Sequence, residues 1–326
     1  MLTQILILLL SLITLVWSAD KFVFGASALA KNLGVSPMII GLTIVAIGSS
    51  APEIMIAVTA SLQGNVNTAV GNAIGSNITN IALVLGLTAL FHPLSVSSTT
   101  IKREIPLMLI ITAIATYMLA DSNFSFNEGL MLIVSFVLYL ATLLVVTLRR
   151  AKKKSINDKM VLAAEQAVPD GISTKHSVIW LVVGIILLPL SASFLVDSSI
   201  FIAKAFGISD LVIGLTVIAI GTSLPELAAS IMSIIKKEDD LALGNIIGSN
   251  IFNILAVLSL AGLIAPGDID HAAAVRDAPF MLATTFLLFV LCFGRGGKFR
   301  ITRAKGLLLL AVFIGYQILL FSQINT

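Results

Sequence analysis

The chain states its plan twice. Residues Gly41–Asn80 and Gly214–Asn253 align without a gap at an offset of 173, and 18 of the 40 aligned positions are identical. The match runs on, pairing Pro93 with Pro266, Arg103 with Arg276, Glu104 with Asp277, Pro106 with Pro279 and Met108 with Met281. A duplication of this length restricts the fold to two copies of one architecture packed together. Composition says what each copy is made of. Of 326 residues, 58% are hydrophobic and 11% charged, with a mean hydropathy of +1.06. Soluble domains carry about 45–50% apolar and about 25% charged residues. The expectation is an all-α membrane protein that crosses the bilayer many times.

A helix needs about 17–25 residues to cross a bilayer. Ten apolar runs of that order fall near 2–19, 37–62, 69–90, 104–120, 128–148, 176–203, 210–235, 241–264, 276–293 and 305–322. The first could pass for a signal peptide, but it lacks a basic n-region and leads into the duplicated pattern, so it is read as a span. The one long polar stretch, 149–175, divides the runs into five and five. This gives a first five-helix repeat over 1–148, a basic loop over 149–175, and a second five-helix repeat over 176–326. Halves with an odd number of spans lie in opposite orientations, the inverted-repeat plan of many secondary transporters.

Charge sets the direction. With 149–175 in the cytoplasm, the other loops on that side hold Lys31, Lys102, Arg103, Lys236, Lys237, Arg295, Lys298, Arg300, Arg303 and Lys305. The opposite loops read QGNVNT, ADSNFSFNE and APGDIDHAAAVRD, polar or acidic. The positive-inside bias therefore places both termini outside. The single cysteine, Cys292, excludes a disulfide framework and a thiolate metal site. His92, His176 and His271 lie near segment ends and read as interfacial residues.

Each repeat holds one glutamate inside an apolar run: Glu53 in GLTIVAIGSSAPEI and Glu226 in GLTVIAIGTSLPEL. A carboxylate at membrane depth costs roughly 2.5–3.5 kcal/mol on insertion scales, and neither run contains Lys or Arg. Such a group binds a cation, faces a wet cavity or holds a proton. Pro52 and Pro225 precede the glutamates and remove the bonds to the carbonyls of Gly48 and Gly221, so the helix is expected to break or kink there. Ser49 and Ser50 in one copy, and Thr222 and Ser223 in the other, add hydroxyls. Ser49 and Thr222, four residues before the glutamates, share their face wherever the helix is regular. In GNAIGSNITN and GNIIGSNIFN, Gly71, Gly75, Gly244 and Gly248 form smooth faces for close helix packing. Asn72, Ser76 and Asn80, like Asn245, Ser249 and Asn253, form a polar stripe that could coordinate cations or bridge helices. Oxygen-only ligands of this kind suit Ca²⁺, Na⁺ or Mg²⁺ rather than Zn²⁺ or Cu⁺.

The two copies of G-(S/T)-S-x-P-E and of G-N-x-x-G-S-N resemble the alpha repeats of the calcium/cation antiporter superfamily, in its sodium/calcium exchanger branch. The likeness covers essentially the whole chain and is nearest to the bacterial inner-membrane group without a large regulatory loop. It implies that Glu53 and Glu226 are shared Ca²⁺ and Na⁺ ligands and that Ser49, Ser50, Thr222 and Ser223 line the site. It implies further that the backbone carbonyls of Ala46 and Ala219 coordinate Na⁺, that Ser76 and Ser249 are further Na⁺ ligands, and that Asn80 and Asn253 complete the centre. No cofactor is implied; the partners are Ca²⁺, Na⁺ and the lipid bilayer, with no nucleic acid and no obligate protein. Serine at Ser49, where threonine is common, keeps the hydroxyl. Asn253 stands where some relatives carry aspartate, including the potassium-coupled branch, so potassium coupling is expected to be absent. GNAIGSN and GNIIGSN lack the extra acidic residue of the proton-coupled branch, which favours Na⁺ over H⁺.

The expected function is Na⁺/Ca²⁺ antiport by alternating access. Exchange of H⁺ for Ca²⁺, or transport of another divalent ion such as Mg²⁺ or Mn²⁺, is the rival within the class. A passive cation channel is a second class, though transporters more often use broken helices at a midplane site. An intramembrane hydrolase with paired carboxylates would need split acid and base roles, which the symmetric surroundings disfavour.

Overall fold

The computed structural model describes residues 2–153, 172–206, 219–293 and 299–324. Most of the basic stretch 149–175, residues 210–218 of the seventh expected span, and Arg295 and Lys298 lie outside the described residues. The helices are α1 (Leu2–Leu33), α2 (Pro37–Ser49), α3 (Ala51–Leu62), α4 (Val66–Phe91), α5 (Ile105–Met118), α6 (Phe126–Lys153), α7 (Thr174–Ala205), α8 (Leu224–Ile235), α9 (Asp239–Ile264), α10 (Ala273–Cys292) and α11 (Arg303–Ile324). Seven of them are individually long and apolar enough to cross a membrane, and the pair α2–α3, bent by 47°, brings the total to eight. The two remaining expected spans correspond to α5, which a π-helical turn over Thr100–Glu104 extends, and to α8, which a short helix over Ala219–Thr222 precedes.

The first span is longer than its apolar run suggests. Asp20 does not end α1, because Lys236 at the end of α8 meets its carboxylate at 2.6 Å and Lys21 at 3.3 Å. The helix stops only before Gly34, which takes a φ of +62°. The duplication extends to the elements themselves. At the offset of 173, α3 matches α8, the π turn Asn80–Leu85 matches Asn253–Leu258, and the π turn Thr100–Glu104 matches Ala273–Asp277. The strand Leu94–Ser95 matches Gly267–Asp268, and the helical turn Ala46–Ser49 matches Ala219–Thr222.

α4 and α9 occupy the middle, with 72% and 89% of their apolar windows buried, against 17–28% for α1, α6, α7 and α11. Glycines make that centre tight. A Cβ on Gly244 would stand 2.6 Å from the Met38 carbonyl, and one on Gly248 would stand 2.7 Å from Leu42 Cα. The backbones of α2 and α9 therefore touch, the use expected of a small-residue face. For Gly71 and Gly75, two of the matching partners, 211 and 215, lie outside the described residues. α1 and α7 pack along their length and share an apolar cluster (Leu15, Phe22, Val23, Leu181, Leu188) separate from the main core. The Gly25 Cα faces the Ser177 carbonyl and Gly184 faces Phe22 in this pair.

The loops gather into two groups. Leu94–Ser95 pairs antiparallel with Arg300–Ile301, and the Ser95 amide donates to Asp239 at 3.1 Å. Asn123–Phe124 pairs with Gly267–Asp268, and the Asp270 amide donates to Asn67 at 2.7 Å. Each group draws its members from loops that the charge pattern assigns to a single side of the membrane.

Candidate cation site

The break between α2 and α3 falls at Ser50 (φ −84°, ψ 17°), and the matching break before α8 falls at Ser223 (φ −91°, ψ 6°). Pro52 and Pro225 then lie in the first turn of the next helix, where a missing N–H costs nothing. Of the break or kink expected here, the chain makes a break: the helix has ended at the serine, and the proline starts its successor. Glu53 and Glu226 occupy the same first turns, the end of a helix that favours negative charge. Both are fully buried. Because the break intervenes, Ser49 does not share a face with Glu53 and points instead into the other half.

The contacts cross between halves. Ser50 Oγ donates to Glu226 Oε1 at 2.9 Å, whereas Ser76 Oγ donates to Glu53 Oε1 at 3.5 Å within the first half. Ser49 Oγ donates to Asn245 Oδ1 at 3.0 Å and lies 3.5 Å from Ser249 Oγ. α3 packs on the π turn that begins with Asn253, and α8 packs on the π turn that begins with Asn80. The helix that carries each glutamate thus packs on the asparagine turn of the other half. The Glu53 and Glu226 carboxyls are within electrostatic reach of each other.

Several polar atoms here are buried without a hydrogen-bond partner among the described residues: Glu53 Oε2, Glu226 Oε2, Ser223 Oγ and both amide atoms of Asn80 and of Asn253. Leaving such a group unsatisfied costs about 1–3 kcal/mol, and more for a charged one. Their oxygens form a donor set of the hard kind that Na⁺ and Ca²⁺ take. No group of three or more His, Cys, Asp or Glu that could hold a metal ion occurs among the described residues. Thr222 is half-buried at the end of its short helix, and Ala219 opens that helix. The Ala46 carbonyl accepts from the Ser50 amide at 3.1 Å and from Ser49 Oγ at 3.4 Å, so it is engaged within the break.

Two supports went unassigned in the sequence. Asn245 Nδ2 donates to the main-chain carbonyl of Glu226 at 3.4 Å and to Ser230 Oγ at 3.3 Å, while its Oδ1 holds Ser49. Asn72 Nδ2 donates to the main-chain carbonyl of Glu53 at 3.2 Å. Both asparagines therefore hold the helix turn that carries a glutamate. The polar stripe had left their role open between ligand and bridge; Ser230 carries no signal of its own.

Broken helices in the middle of a duplicated membrane-spanning chain, each followed by a buried carboxylate, are a plan common among secondary transporters. Residues 3–145 and 176–322 match the family described as sodium/calcium exchanger protein. The chain is 53% identical over 323 residues to CaxA of Alkalimonas amylolytica, covering 99% of this chain and 100% of that one. It is 41% identical over 321 residues to the inner membrane protein YrbG of Escherichia coli, covering 98% of each. Its fold superposes with a TM-score of 0.80, at 32% identity and over 96% of this chain and 97% of the other, on the sodium-calcium exchanger NCX_Mj from crystals soaked with Na⁺ and Sr²⁺. The chain belongs to the sodium/calcium exchanger family.

Proposed function

We propose that this protein is a secondary active antiporter that exchanges Na⁺ for Ca²⁺ at one central site shared by Glu53 and Glu226. The observation that carries this reading is the cross-half pairing of Ser50 with Glu226 at 2.9 Å, beside an unpartnered oxygen on each buried glutamate. Ser49, Ser76, Thr222, Ser223 and Ser249 supply hydroxyl oxygens, Asn80 and Asn253 amide oxygens, and Ala46 and Ala219 main-chain carbonyls. Family membership and the likeness to NCX_Mj support Ca²⁺ and Na⁺ as the cargo.

Charge explains why the exchange is obligatory. Two ionised carboxylates give the empty site a charge of about −2, which is costly to carry through a low-dielectric barrier. One Ca²⁺ neutralises it, and so does a set of Na⁺ ions. Loaded forms therefore cross and the empty form does not. Ten helices in two inverted five-helix repeats, 1–148 and 176–326, supply the two rocking parts. The name of the Escherichia coli relative supports an inner-membrane location, and the basic loops place 149–175 in the cytoplasm with both termini outside.

The test is ⁴⁵Ca²⁺ uptake into proteoliposomes loaded with Na⁺ and diluted into choline buffer. Uptake is expected to need the outward Na⁺ gradient and to disappear in Glu226→Gln and Glu53→Gln. Uptake driven only by a proton gradient would move the protein to H⁺/Ca²⁺ exchange. Uptake without any gradient would make it a channel.

A further inference from the structure

Asn77 and Asn250 occupy the same position of the two repeats, 173 residues apart. Both are buried where α4 crosses α9, one residue after Ser76 and Ser249. Their bonds are unequal. Asn77 Nδ2 donates across the crossing to the Asn250 main-chain carbonyl at 3.2 Å and lies 3.6 Å from Met281 Sδ. Asn250 Nδ2 instead turns back on its own helix and donates to the Ile246 carbonyl at 2.7 Å. The side-chain oxygens of both are buried without a partner among the described residues.

The mirror set of partners is present in the sequence. The offset of 173 takes Met281 to Met108, which is fully buried, and takes Ile246 to Ala73. An arrangement in which Asn250 donates to the Asn77 carbonyl and Met108, while Asn77 turns back on Ala73, would make the same number of bonds of the same types. Reaching across the crossing and folding back on its own helix place the amide in different side-chain rotamers, and a position between staggered wells costs about 0.5–1.5 kcal/mol. A side chain with two equivalent docked positions and a poor one between them is a two-state element, the kind of element that coupling between distant sites requires.

We propose that Asn77 and Asn250 are positioning residues that set the balance between the two access states by exchanging this bond across the crossing. Neither belongs to the proposed ion site; each acts through the helix that carries Ser76 and Asn80, or Ser249 and Asn253. The inference rests on the alternating-access reading above. In the present arrangement α9 is the more buried of the two central helices and α4 the less buried, and the exchange of bonds inverts that order.

Hydrogen–deuterium exchange of the protein in nanodiscs tests it without any transported ion. Asn77→Ala removes the cross-half bond of the present arrangement, so exchange should rise across Asp239–Phe252 and fall across Val66–Thr79. Asn250→Ala removes the cross-half bond of the mirror arrangement and should shift both segments the opposite way. The expected shift in each is about threefold, the size of one interhelical hydrogen bond in a bilayer. Met281→Leu and Met108→Leu, which keep the core volume, should repeat the two directions at smaller amplitude and serve if the asparagine variants do not fold. Shifts of the same sign in both members of a pair, or none, would overturn the proposal. Opposite shifts in a protein that fails the ⁴⁵Ca²⁺ assay would keep the switch and discard the cargo assignment.

Discussion

Glu238 shows how one side chain can set a pH limit on a membrane protein. It is buried in the turn between α8 and α9. Burial, reinforced by the charges of Asp240 and Asp239, pushes its carboxyl up to about 7. A folded-state value above the ordinary 4.5 means that the folded protein holds the proton more tightly than the unfolded chain. The stability this proton contributes is therefore complete below pH 4.5 and is lost as the pH rises through 7. Glu238→Gln should flatten the fall in Tm of the solubilised protein across that window; an unchanged profile would remove Glu238 as its origin. Nothing in the run KKEDD announces this, since a charge run normally reads as a solvated surface. The burial of Glu53 and Glu226 was legible for the opposite reason, because a lone glutamate stands in an apolar run in each of the two copies.

At the scale of the helix, what the sequence discloses depends on whether the physics is local. The break near Pro52 and Pro225 was visible because proline acts on its own neighbourhood, though the chain leaves the helix at Ser50 and Ser223, two residues earlier. The π turns that begin at Asn80 and Asn253 had no sequence signal, since NIALVL and NILAVL carry no glycine or proline to punctuate them. The length of α1 was hidden because the partner of Asp20 is Lys236, far away in the chain. The glycine face of α9 was read correctly, and it gives an exacting test. In Gly248→Ala the new methyl would stand 2.7 Å from Leu42 Cα and 2.8 Å from Ala46 Cβ. Overpacking of that kind costs about 1–3 kcal/mol, so Tm should fall clearly. Gly315→Ala on α11, with nothing within 4 Å of the new methyl, should leave Tm unchanged. Equal Tm values for the two variants would show that α2 and α9 do not touch as described.

For the molecule as a whole, topology is the open prediction. Single cysteines in a Cys292→Ser background, labelled with an impermeant maleimide in right-side-out vesicles, should react at Asp121 and Asp268 and stay protected at Ser95 and Arg300 until the membrane is opened. Reaction at Ser95 would invert the assignment. The duplication was legible because Gly41–Asn80 and Gly214–Asn253 align at an offset of 173 without a gap; how the copies interlock was not, because which residue faces which is a property of the assembled pair. The bond from Ser50 to Glu226 carries the larger consequence. Copies that serve separate sites are free to drift apart, one keeping the old task while the other acquires a new one. In the proposed site neither copy is complete on its own. A change tolerated in one is judged by its fit to the other, so the descendants of the duplication are bound to diverge together, as two parts of one lock.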